Sequence, residues 1–398
     1  MPQAMGAPAQ QNNPYVTNLA RRNLIVHGRP DLGIPPAVDM WQPLNPFLPA
    51  SVAAGAILNV QIRNVGLVKR LLIKMTGTFN ANTTSTQTLT KLGLQNLVSN
   101  VLLTDLANNQ RVNTTGWHLV TLSSTKRRRV WGSAATTDTP FGWGNNYNCN
   151  KAPSSISSSG SGTFVFFLEV PMVRNDHDLR GAIFGDVNSA IMTCQVTLNP
   201  NTFVASTSDP TLAVYQSAGS DLGSITGFAW QVYQNYLDQL PRDSNNNPVL
   251  PPLDIGTAYN LVQSASTTPV VNQDNTFPFV NQRQFLSTVA IYDNAGTLNA
   301  GTDILNWKLA SANFTFIRQL DPIAQALMGR VVAGDDLPTG MYFFDFSDRP
   351  IDTSQYGNMQ LIMNPSSVGG GTAVVYLAWE AYGIIGLINQ GGAIPSGS

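Results

Sequence analysis

Apolar and polar residues alternate along much of this chain with a period of two. In Ile57-Leu58-Asn59-Val60-Gln61-Ile62-Arg63-Asn64-Val65, Leu58, Val60 and Ile62 fall on one side and Asn59, Gln61 and Arg63 on the other. That period belongs to a strand with one buried face. The next stretch, 68–79, is β-branched and aromatic and ends in a turn at Asn80-Ala81-Asn82. Further strands are predicted at 97–105, 163–173, 191–198, 211–216 and 225–237, then at 277–280, 285–292, 313–319, 340–346, 359–363 and 372–382. One good helix start appears in the second half. Asp321 stands where an N-cap belongs, with Pro322 behind it and apolar residues through Met328. Between 106 and 162 lies a long connection with Gly, Asn and Ser clusters, of a length that in a compact domain is usually functional or interfacial.

Four short segments recur in the same order. Val101–Asp105 is echoed by Val289–Asp293, Phe164–Glu169 by Met341–Asp345, Val196–Pro200 by Leu361–Pro365, and Phe228–Tyr233 by Tyr376–Tyr382. The recurrence predicts two similar β domains with loops of unequal length. Many short strands, few helices and frequent turn signals give an all-β class. The best fit is a double jelly roll, two tandem eight-stranded sandwiches with extended N- and C-terminal arms. Strand count alone leaves immunoglobulin-like sandwiches open. The expected layout is an N-terminal arm at 1–50, a first sandwich at 51–240, a linker at 241–250, a second sandwich at 251–385 and a C-terminal arm at 386–398. Within the first arm a short helix is expected from Thr17 to Val26, and prolines at 30, 35, 36, 43, 46 and 49 force an extended path onto some other surface.

Composition changes this picture in one respect. Only 11% of the 398 residues are charged, against about 25% in an ordinary globular chain, and Ser, Thr, Asn and Gln take their place. Such a surface can be buried against neighbours without heavy charge desolvation, which points to an assembly subunit. The net charge of −1 excludes a domain built as a whole for nucleic acid. Cys149 and Cys194 are expected as reduced thiols, no secretory leader is read in the first residues, and no apolar run is long enough to span a membrane.

Candidate chemistry is sparse. Asp176-His177-Asp178 lacks a second histidine at ligand spacing and reads as a capped turn. Gly334-Asp335-Asp336 stands alone in a loop, and no nucleophile elbow, phosphate loop or other cofactor motif occurs. Glu169 and Glu380 are acids inside predicted strands with nothing to pair them as a glycosidase requires. No catalytic, metal or cofactor residues are assigned. The strongest charge run, Lys126-Arg127-Arg128-Arg129, admits three readings: a solvated loop, an ion-paired contact with a neighbour, or contact with phosphates. Trp131 and Trp143 beside it fit packing at a subunit edge. In the N-terminal arm, Arg21 and Arg22 with Leu24 and Ile25 fit a lipid surface.

Several stretches are familiar together. Asn64–Lys69, Thr114–Leu119, Val232–Pro241, Leu253–Ile255 leading to Tyr259–Leu261, Asn299–Ile304 and Gln355–Asn358 resemble the major coat protein of tectiviruses, tailless phages with a membrane inside an icosahedral shell. The resemblance runs from about residue 56 to 365 and fades in the first arm, at 126–162 and in the tail. It implies two upright jelly rolls per chain, a pseudo-hexagonal homotrimer and trimers tiling a virion shell that is assembled in the host cytoplasm. Its implied partners are neighbouring trimers, vertex and minor capsid proteins and, peripherally, the internal membrane. It implies no catalysis, no cofactor and no specific nucleic acid. The alternative reading is a cellular double-sandwich module that binds carbohydrate through loop aromatics.

Overall fold

The structure is a computed structural model that describes residues 38–46, 52–126, 150–174, 179–185, 191–240, 244, 257–264, 267–279, 284–294, 297–298, 303–311, 316–333, 337–366 and 373–384. The first half contributes Val38–Leu44 (β1), Ile57–Ile62 (β2), Leu67–Asn80 (β3), Val98–Thr104 (β4), Gln110–Thr114 (β5), helix Gly116–Lys126 (α1), Ser161–Pro171 (β6), Met192–Leu198 (β7) and Ser224–Asp238 (β8). The second half contributes Thr257–Gln263 (β9), Asn275–Pro278 (β10), Gln284–Asn294 (β11), Ile304–Ser311 (β12), Arg318–Leu320 (β13), helix Pro322–Ala333 (α2), Met341–Asp345 (β14), Met359–Pro365 (β15) and Ala373–Ile384 (β16).

The pairing repeats as strictly as the order. The first half forms sheets β1-β8-β3-β6 and β2-β7-β4-β5; the second forms β9-β16-β11-β14 and β10-β15-β12-β13. Adding eight to every label of the first pair produces the second, and each ladder inside a sandwich is antiparallel. The helices follow the same rule, α1 between β5 and β6, α2 between β13 and β14. Each unit is thus an eight-stranded, two-sheet jelly roll.

Side-chain alternation builds the cores. In β3, Leu71, Ile73 and Met75 are fully buried while Leu72, Lys74 and Thr76 on the other face are only half-buried. At one end of the first sandwich Phe79 stacks on Phe164 at 4.3 Å and meets Phe203 and Tyr215 edge-on at 5.8 and 5.1 Å. Phe203 and Tyr215 belong to a small sheet of the short strands Gln87–Leu89, Ser155–Ile156, Phe203–Val204 and Tyr215–Ser217, which lids that end. The second core centres on Trp307, fully buried between Tyr342 and Phe344 at 5.0 and 5.9 Å.

Several expectations need correction. Three of the four echoes fall on equivalent strands: β6 with β14, β7 with β15, β8 with β16. The first does not: Val101–Asp105 lies in and just after β4, whose counterpart is β12, whereas Val289–Asp293 lies in β11, the counterpart of β3. The likeness there is the generic one of a buried strand ending in Asp. The long connection at 106–162 contains β5 and α1, and within the described part of the strand expected over 313–319 only Arg318–Leu320 is strand, behind an unforeseen β12. Similarly, 211–216 shrinks to Tyr215–Ser217. β9 lies where no strand is expected, and β1, expected inside an arm without a core, is the edge strand of the first sandwich. The Asp321 cap holds: its Oδ1 accepts from the amides of Ile323 and Ala324 at 2.9 and 3.0 Å, and the helix runs on to Ala333.

Phe79→Ala is expected to lower the unfolding free energy by about 3–5 kcal/mol, because it opens a cavity at the aromatic junction. Leu222→Ala, at an exposed position, is expected to stay within about 0.5 kcal/mol. Urea unfolding of both variants checks the difference.

Candidate functional site

The residues singled out for the arm, Arg21, Arg22, Leu24 and Ile25, lie outside the described residues, as do Arg127, Arg128, Arg129, Trp131, Trp143, Cys149, Asp176-His177-Asp178 and Gly334-Asp335-Asp336. Lys126 is the last residue of α1. Cys194 is a buried free thiol on β7, and burial pushes it up to about 12. Among the described residues no three His, Cys, Asp or Glu side chains gather as a metal site, and no helix is long and apolar enough to cross a membrane.

Glu169 and Glu380 each have a local structural partner. Glu169 Oε1 accepts from Arg70 Nη1 at 3.4 Å with both side chains buried. Glu380 accepts from Tyr259 Oη and Ser287 Oγ, both at 2.7 Å. Four described tryptophans, Trp117, Trp230, Trp307 and Trp379, are buried, and Trp41 on β1 is exposed. Among the described residues, Trp41 is thus the one tryptophan whose side chain faces solvent.

What the fold offers instead is a seam. β5 and β9 pair in parallel, Leu261 opposite Val112 and Val262 opposite Asn113, so one sheet of each sandwich runs on into the other. The β9-β16-β11-β14 sheet is apolar on both faces. One face, with Phe285, Tyr292, Tyr342, Phe344 and Trp379, fills its own sandwich. The other, with Leu286, Val289, Ile291, Met341, Phe343 and Ala378, joins the core of the first sandwich.

Helix α1 closes the seam from the first side. Thr115 Oγ1 accepts from the His118 amide at 3.3 Å, and Thr121 and Thr125 return their hydroxyls to the carbonyls of Trp117 and Thr121 at 2.7 and 2.9 Å. With its threonines satisfied along its own backbone, the helix can be buried nearly all round. Thr121 Oγ1 also touches Met341 Sδ of the second sandwich at 3.8 Å. Leu119, Leu122 and Glu169 line a small cleft there with Tyr259.

Polar groups fix the register of the joint. Ser287, Glu380 and Leu261 are ladder neighbours, so the Tyr259–Glu380–Ser287 cluster ties three strands of the second sandwich at the face that meets the first. Arg180 from the first sandwich lies over the Tyr382 ring at 4.4 Å. Gly181 beside it has φ +92, and a Cβ there would come within 2.5 Å of Tyr259 Cβ, a close approach only glycine permits. The β4–β5 turn is held in the same way: Asp105 accepts from the amides of Ala107 and Asn109 at 2.9 and 2.8 Å and from Arg111 Nε at 2.8 Å. Burial lowers the Arg111 pKa, and Asp105 opposes that shift. Periodicity carries no signal for this seam, because the residues that make it sit on strands apolar on both faces.

Comparison with known proteins places the chain among coat proteins. A family model described as P3 major capsid protein N-terminal matches residues 9–240, and one described as P3 major capsid protein C-terminal matches residues 256–394. The chain is 36% identical over 316 residues to major capsid protein P3 of Enterobacteria phage PRD1, covering 79% of this chain and 80% of that one. Among solved structures it resembles the major capsid protein of Sulfolobus Turreted Icosahedral Virus, with TM-score 0.60, 11% identity and coverage of 87% and 97%. It also resembles PBCV-1 VP54, with TM-score 0.57, 10% identity and coverage of 87% and 94%. These structural likenesses speak for the fold alone.

Glu380→Ala is expected to destabilise the chain by about 1–3 kcal/mol for each buried hydroxyl it strands. Glu380→Gln, which keeps an acceptor oxygen, is expected to lose less. Thermal unfolding at matched concentration compares the two.

Proposed function

The chain belongs to the P3 major capsid protein family, and from that membership we propose that three copies join as a trimer with six like sandwiches around its axis. The chain is a structural coat protein of a virion shell. The observation that supports the trimer is the internal repetition: the eight sandwich strands β1–β8 and helix α1 have counterparts in β9–β16 and α2, in the same order. Six similar bodies around a threefold axis present a near-hexagonal outline, and hexagons tile a plane. A threefold ring needs a heterologous interface, in which one surface of each chain meets a different surface of the next. The low charge content suits a chain with much surface given to such contacts.

The remaining partners belong to the same reading. Neighbouring trimers, vertex and minor capsid proteins meet the outer margins of the trimer. The loop with Lys126, Arg127, Arg128, Arg129, Trp131 and Trp143 serves as a surface or inter-subunit contact. The arm with Arg21, Arg22, Leu24 and Ile25 lies against the internal membrane. Two arginines near anionic headgroups contribute about 2 kcal/mol, weak singly but multiplied across a shell.

Light scattering of the purified chain at physiological salt is expected to give the mass of three chains, and a monomer at all concentrations tested would sink the trimer. Removal of residues 1–28 is expected to leave the trimer intact and abolish co-sedimentation with anionic vesicles. Unchanged co-sedimentation would show that the arm has no part in membrane contact.

A further inference from the structure

The first sandwich holds a buried lysine that a strand irregularity puts in place. In β3, Val68 and Leu71 both pack into the core, although they stand three residues apart. Regular alternation would turn one of them outward. A bulge between them takes up the extra residue. On the ladder with β8, Val68 faces Tyr236 and Arg70 faces Asn235, and Lys69 is passed over. Lys69 and Arg70 therefore both project from the outward face of the sheet. Asn235 shares that face, because Val232 and Tyr236 of the same strand pack in the core. Bulges often re-aim a side chain in this way next to a functional site. The displaced backbone is itself held, since Lys69 O accepts from the Met172 amide at 2.8 Å.

The two cations then part company. Arg70 reaches Glu169 on β6, and Lys69 reaches Asp39 on the edge strand β1, with Nζ 3.0 Å from Oδ1. Asn235 Nδ2 donates to that same Oδ1 at 2.6 Å and to the Met40 carbonyl at 3.1 Å. The amide is thereby fixed with its nitrogen toward Asp39, while its buried Oδ1 accepts no hydrogen bond among the described residues. The Lys69 side chain is 4% exposed and Asn235 is 1% exposed, whereas the Asp39 side chain is 54% exposed and leaves the site open to water on one side. An amine, a carboxamide carbon and one carboxylate oxygen touching both nitrogens are the parts needed for an amide exchange, already held together by the fold.

We propose that Lys69 and Asn235 become joined by an isopeptide bond that the folded chain forms by itself. Asp39 takes a proton from the Lys69 ammonium, and the freed Nζ attacks Cγ of Asn235. The Nζ–Cγ bond forms, the Cγ–Nδ2 bond breaks, and Asp39 passes the proton to the departing nitrogen. Nδ2 leaves as ammonium, carrying the two protons that Nζ gives up, and escapes past the exposed carboxylate. Nothing is oxidised or reduced, and Asp39 ends as it began. The product ties β3 to β8 and closes a loop containing most of the first sandwich, which removes freedom from the unfolded chain. The second sandwich holds similar groups without this arrangement. Lys308 and Asn364 both meet Asp274, but the ladder is regular there and sets Lys308 opposite Ile362. The Lys308 ammonium also lies 5.3 Å from the Phe316 ring centroid, which favours its charged form.

The test is mass spectrometry of the full chain, held folded at neutral pH for several days and then denatured. The chain is expected to be lighter than its sequence by one ammonia. A tryptic digest is expected to lack cleavage after Lys69 and to contain a branched peptide linking Lys69 to Asn235. Asp39→Asn, which keeps a polar side chain but no base, is expected to retain the far-UV circular dichroism and lose the branched peptide. A folded unmodified chain that has the full mass of its sequence and is cleaved after Lys69 overturns the proposal. So does an ammonia loss without the branched peptide, which marks a succinimide. A branched peptide that persists in Asp39→Asn overturns the part given to Asp39. Should that variant fail to fold, the digest of the unmodified chain decides alone.

Discussion

The structure depends on a sheet with two apolar faces. β9-β16-β11-β14 fills its own sandwich with one side and must still remove the other from water. At about 25 cal/mol for each Å² of apolar surface, leaving that second face bare would cost more than a domain's net stability. The first sandwich supplies the cover through α1 and through β5, which pairs with β9. The two jelly rolls are therefore not beads on a linker. They share one hydrophobic core across the seam.

That arrangement explains where the scarce charges went. Asp105 with Arg111, Glu169 with Arg70 and Lys69 with Asp39 are ion pairs with at least one buried member, and Glu380 is held by two hydroxyls. Buried pairs of this kind contribute little net stability, but removing one partner strands the other, so they select one register over its alternatives. In a chain whose strands resemble one another, register is the property most in need of specification.

Duplication makes assembly an extension of folding. A contact that joins two sandwiches inside a chain can join sandwiches of different chains if the same surfaces recur at the far ends. The α2 helix and the outward face of the β1-β8-β3-β6 sheet are partly exposed, in contrast with the burial of their counterparts. A structural function of this type is carried by surfaces rather than by a cluster of reactive side chains. Its site is a distribution of exposed apolar area, which neither a motif nor an ionisable cluster marks.

The strands legible in the sequence were the half-buried ones that alternate and the fully buried ones that form β-branched and aromatic runs. β2, β3 and β8 belong to the first kind, β11, β14 and β16 to the second, and all six lie close to their expected bounds. α2 was found because Asp321 and Pro322 mark its start. α1 was missed because a helix buried nearly all round has no polar face and therefore no 3.6-residue period, and its valine and threonines are poor helix formers. No element is expected over β12, and β1 is absent from the expected strands because its proline-rich surroundings read as an arm. By itself the sequence determined the all-β class, the tandem repetition and, through its resemblance to known coat proteins, the role in a shell, since these follow from local alternation and recurring strands. Which strands are true counterparts, which helix is covered and which faces remain open were decided only by tertiary structure, because each depends on what lies across a sheet rather than on what comes next along the chain.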